Sequence, residues 1–128
     1  MNQAAFGGLK GLILTRVEAL KRPDYGSDAG PIDEILFVSD SGRTFHLHHV
    51  QDCCEDVIVE SIVGDLSDLV GSPILLAEEA SEQGPTNSHE SSTWTFYKLA
   101  TIKGYVDIRW IGTSNGYYSE SVDFEEIK

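Results

Sequence analysis

Apolar and polar residues alternate with a period of two along most of the chain, and β-branched and aromatic residues fill many of the apolar positions. That pattern predicts strands with one buried face, because successive side chains on an extended backbone point to opposite sides. Residues 12–20, 33–39 (DEILFVS), 43–50 (RTFHLHHV), 57–63 (VIVESIV), 74–79, 93–102, 105–113 and 117–125 read as strands. Asp40, Ser41 and Gly42 supply a hairpin turn between the second and third of these. Residues 65–70 (DLSDLV) read as one short helical turn, with Asp65 as its cap and Gly71-Ser72-Pro73 as its stop. Residues 2–8 read as a helical turn or a loose start. The polar stretches 21–31 and 80–92 contain Gly and Pro and read as loops, the second one mobile.

The last two strands offer a register test. A two-residue Asn115-Gly116 turn sets Ile108 against Asp123, whereas a three-residue loop with Gly116 left-handed sets Ile108 against Val122 and Val106 against Phe124. The second register gathers apolar residues on one face, so a bulged hairpin is expected there. The expected fold is mainly β: an antiparallel meander of seven to eight strands, closed into a partial barrel or small sandwich, in a single domain spanning 1–128.

Charge changes the picture. Nine Lys and Arg stand against 21 Asp and Glu, a formal net charge of -12. Such a surface repels phosphate backbones and anionic membranes, so direct nucleic-acid binding and membrane association are not expected. No secretory leader is read at the start, where Gly7, Gly8, Lys10 and Gly11 break the apolar run. The excess is also localised: residues 52–90 contain no Lys or Arg. Asp52, Glu55, Asp56, Asp65, Asp68, Glu78 and Glu79 therefore make a candidate acidic docking patch for a basic protein surface. The bland alternative is an ordinary solvated face.

Two further clusters carry possible chemistry. His46 and His48 share one face of a strand, with Phe45 and Leu47 on the other, and Cys53 follows closely. Imidazole and thiolate are zinc ligands, although the spacing matches no standard zinc motif. Cys53 and Cys54 are adjacent, so a bridge between them is not expected, and a reducing cytoplasm is the default compartment. Cysteine catalysis is disfavoured, because nearby Asp52, Glu55 and Asp56 oppose thiolate formation. The other cluster is aromatic and cationic: Trp110, Tyr117 and Tyr118 with Arg109 and Lys98 could stack a planar, nucleotide-like ligand, against the simpler reading that strand aromatics are core. No cofactor and no catalytic residue is assigned, and no phosphate-binding glycine loop is present.

Several runs, namely His49–Glu55 (HVQDCCE), 64–66 (GDL), 71–74 (GSPI), 93–98 (TWTFYK), 108–110 (IRW) and 114–119 (SNGYYS), resemble a family of small proteins of tailed phages and prophages. The likeness runs from about Leu9 to Glu125. It implies viral origin, action in the host-cell cytoplasm and a compact domain, and it transfers no catalytic residue. By analogy with small acidic phage proteins, the expected role is to bind and inhibit a host protein, for example in anti-defence.

Overall fold

The computed structural model describes residues 2–22 and 30–127. Among them run β1 (Asn2–Gln3), β2 (Leu14–Lys21), β3 (Ile32–Ser39), β4 (Thr44–His48), β5 (Asp56–Val63), β6 (Leu76–Gln83), β7 (Ser91–Thr101), β8 (Gly104–Ser114) and β9 (Asp123–Ile127). They form two antiparallel sheets, ordered β1-β9-β4-β3-β2 and β5-β8-β7-β6. The apolar faces share one core, so the sandwich rather than the barrel is realised. Eight strands of five or more residues match the expected number; β1 adds a two-residue pairing.

Alternation explains the core. Ile35 and Phe37 of β3, Phe45 and Leu47 of β4, and Phe124 of β9 face Val57 and Val59 of β5, Tyr97 and Leu99 of β7, and Val106, Ile108 and Trp110 of β8. Phe6 lies in a 3-10 turn (Phe6–Leu9) and plugs one side, its ring 4.6 Å from Tyr97 and 5.2 Å from Phe124. Asp65 caps a second 3-10 turn (Leu66–Leu69) by accepting from the Ser67 amide, which is the short helix expected at 65–70. Gly42 takes φ +85° in the β3–β4 hairpin, a conformation that a side chain would strain.

Three expectations need correction. The expected loop 80–92 is strand at both ends: β6 runs to Gln83 and β7 starts at Ser91. Polar residues hid the second half of this strand, beyond the expected 74–79, because residues 78–83 lie exposed on a sheet edge. The expected final hairpin does not form. β8 pairs with β5 and β7, Ile108 lying opposite Ile62 and Tyr97, while β9 crosses to the other sheet and pairs with β4 and β1. Gly116 is indeed left-handed, but within this crossover. Gly112 makes the crossover possible, since a Cβ there would lie 2.3 Å from the Glu120 carbonyl oxygen. Glu120 then clamps the crossover, accepting from Thr93 at 2.8 Å, Ser114 at 2.5 Å and Ser91. Last, Cys53 and Cys54 are joined in a vicinal disulfide. The expectation of free thiols assumed an extended strand at 53–54, whereas the chain bends there. Most of the loop expected at 21–31 lies outside the described residues.

Candidate functional site

Three places bring chemistry-bearing side chains together. The first is on the outer face of the five-stranded sheet. His46 and His48 are two residues apart on β4, so the strand period puts both rings on one side, stacked with centroids 3.7 Å apart. The pairing of β4 with β9 sets Glu125 opposite His46. Its Oε1 lies 2.5 Å from Nε2 of His48 and 3.9 Å from Nε2 of His46. Nδ1 of His46 donates to Oε2 of Glu34, on β3, at 2.8 Å. His46 is 7% exposed, and its Nε2 has no hydrogen-bond partner. The sequence pairing of His46 with His48 is thus realised, but Cys53 is not part of it; Glu125 and Glu34 stand there instead.

The second place is the bend at 49–55. Glu55, 4% exposed, accepts from the backbone amides of Asp52 at 2.8 Å and Cys53 at 2.9 Å and meets Nε2 of His49 at 2.7 Å. Nδ1 of His49 faces the Ser121 carbonyl oxygen at 2.7 Å. Both ring nitrogens of His49 thus face oxygen atoms. Burial alone pushes the Glu55 carboxyl up, but the bonds from His49 and the amides prevail and hold it down at about 2. Glu55 therefore organises the disulfide bend and is no docking residue, contrary to its place in the expected acidic patch.

The third place is a groove of about 800 Å³ against the four-stranded sheet. Val63, Ala80 and Phe96 give it apolar surface, and Glu78, Asp107, Lys98 and Arg109 give it charge, while Glu79 turns to the other face beside Tyr97. Arg109 is bound to Glu60 at 2.7 Å and lies over the Trp94 ring at 5.1 Å. Lys98 sits between Glu78 and Asp107 in the strand register. The expected aromatic site is corrected in part. Arg109 and Lys98 line the groove, but Trp110 is 0% exposed and belongs to the core. Tyr117 and Tyr118 lie on the crossover, pack on each other at 5.2 Å and do not line the groove. The aromatic residues on the outer face are Trp94 and Phe96; strict alternation from Trp110 through the β7–β8 pairing would have found them.

The acidic segment does not gather on one surface. Asp56 binds Arg22 at 2.8 Å at one end of β5, close to Asp52 in the chain. Asp65 caps its turn beyond the other end of β5, with Asp68 just after it, roughly 25 Å away along an eight-residue strand. Of the expected set, Glu78 alone presents its side chain to the groove, since Glu79 shares the face of Tyr97.

A family model described as a domain of unknown function, DUF7448, matches residues 10–124. Comparison with curated proteins and with solved structures finds no match.

Proposed function

We propose that this chain, which belongs to the DUF7448 family, is a non-enzymatic accessory protein of a tailed phage that binds a host protein and inhibits it. The contact surface in this reading is the groove on the four-stranded sheet, and the partner offers basic side chains around an apolar one. The composition of the groove carries the reading. Two outward carboxylates, Glu78 and Asp107, flank Lys98, and Glu60 already neutralises Arg109. Negative potential beside the exposed Val63 and the half-buried Phe96 suits a basic protein surface better than an anionic ligand. Phage origin rests on the motif resemblance, not on the groove.

The test is capture of a bacterial protein by the full chain, followed by binding measurements with the captured protein. Binding is expected to weaken with rising ionic strength, with paired Glu78→Gln and Asp107→Asn neutralisations, and with Phe96→Ala. Binding that none of these changes touches would overturn the reading. The groove's volume also falls within the range of small-molecule pockets, which favours a second reading with a planar ligand over Phe96 and Arg109. A ligand at about 100 times its Kd would add roughly 2.7 kcal/mol of stability, visible as a raised Tm.

A further inference from the structure

We propose that His46, His48 and Glu125 form a divalent-metal centre, best matched to zinc, in which Glu34 is the carboxylate that orients His46. The inference is independent of the groove and stands on a different sheet. It begins with an orphan. Nε2 of His46 is buried without a hydrogen-bond partner, a costly state for a polar atom. The tautomer explains its use. Because Nδ1 donates to Glu34 at 2.8 Å, the neutral ring presents a lone pair at Nε2, the arrangement by which a carboxylate aims a metal-bound histidine. Nε2 of His46 and Nε2 of His48 both lie near Oε1 of Glu125, and one ligand atom from each of the three residues lies within 4.8 Å of the others.

The distances suit the ion. Tetrahedral zinc with bonds of about 2.0–2.1 Å holds its ligand atoms about 3.3 Å apart. The separations here, 2.5 Å between His48 and Glu125 and 3.9 Å between His46 and Glu125, bracket that value. The rings are stacked with planes 17° apart, so the imidazoles must turn for both lone pairs to converge on one ion, which then takes the place of the hydrogen bond between His48 and Glu125. Two imidazoles and one carboxylate favour zinc or another late first-row ion over calcium or magnesium, which prefer all-oxygen sites. Three protein ligands leave the fourth position to solvent, as in sites that bind or activate a further molecule. The ligands also tie β4 to β9, so an ion here fastens the crossing strand to its neighbour.

The experiment uses the full chain, purified without a polyhistidine tag, stripped by chelator and titrated with Zn²⁺ alone under non-reducing conditions. One equivalent is expected to bind with a Kd of about 1 μM or below, and to raise Tm. His48→Gln and Glu125→Gln are each expected to raise the Kd by about 100-fold or more, and Glu34→Gln by roughly 10–100-fold. Cys53→Ser with Cys54→Ser, and His89→Ala, are expected to leave it unchanged. Co²⁺ provides a second readout: visible d–d bands in the parent chain that both ligand variants lose. His48 is partly exposed, so His48→Gln keeps the test open if Glu125→Gln fails to fold. Absence of stoichiometric uptake, uptake unaffected in the folded ligand variants, or uptake abolished by the cysteine pair would each overturn the proposal.

Discussion

The two outer faces of the sandwich use the same ingredients, carboxylates beside cationic or aromatic rings, to opposite ends. On the five-stranded sheet, Glu34 and Glu125 close around two histidines, one of which is almost wholly removed from solvent. On the four-stranded sheet, Glu60, Glu78 and Asp107 stand at an open groove with Arg109 and Lys98. A buried carboxylate is committed to one geometry, because an unpaired charge there is costly. An exposed one contributes little to stability and remains free to meet a partner. Net charge therefore misstates function in this molecule: the carboxylates with the most specific geometry are those least visible at the surface.

The sharpest break in this comparison is between two tryptophans one strand apart. Trp110→Ala removes a fully buried side chain and is expected to cost about 3–5 kcal/mol by urea denaturation, disturbing both faces. Trp94→Ala removes only the support for Arg109 and is expected to cost less than half as much, with any effect on binding confined to the groove. Next comes Gly112→Ala, which pushes a methyl into the Glu120 carbonyl and is expected to cost about 1–3 kcal/mol, loosening the crossover that joins the two sheets.

Acid separates the faces in a third way. The carboxyl of Glu55 is at about 2 in the folded state, below its ordinary 4.5, so the unfolded chain binds more protons between these values. The stabilisation from Glu55 is complete above about pH 4.5 and is lost as pH falls toward 2. Denaturation midpoints measured across that window should fall less steeply in Glu55→Gln than in the parent chain. The residual slope belongs to Glu60, Asp65 and Glu120, whose carboxyls are also held down. The smallest effect is at the groove: Glu78→Gln with Asp107→Asn should change stability by no more than about 1 kcal/mol while altering the salt dependence of partner binding.

Alternation made β3, β4, β5, β7 and β8 legible in the sequence, together with the Asp40–Gly42 turn and the Asp65 cap, because each is decided within a few residues. The partner of β9 was not legible. The register test compared β9 only with its neighbour in sequence, and apolar residues on both strands satisfied it without revealing that Phe124 packs against Phe45 and Phe6. The second half of β6, beyond the strand expected at 74–79, escaped for the opposite reason, because residues 78–83 are all exposed. At the histidine cluster, the i, i+2 spacing placed His46 and His48 together, but Glu34 and Glu125 come from 12 and 77 residues away. Only the sheet order could supply them. The Cys53–Cys54 bridge was missed because the bend that Glu55 organises has no periodic signature.

The insertion of β9 between β1 and β4 has a temporal meaning. His48 and Glu125 are separated by 77 residues of chain. At about 5–20 residues per second, a ribosome takes about 4–15 s to make that stretch. Until it has done so, β4 stands with one edge unpaired and Glu34 faces a histidine whose counterpart does not yet exist. The sheet that carries the histidines is in this sense finished last, after the other sheet already holds all four of its strands. A nascent chain would complete its groove before Glu125 reaches His46 and His48.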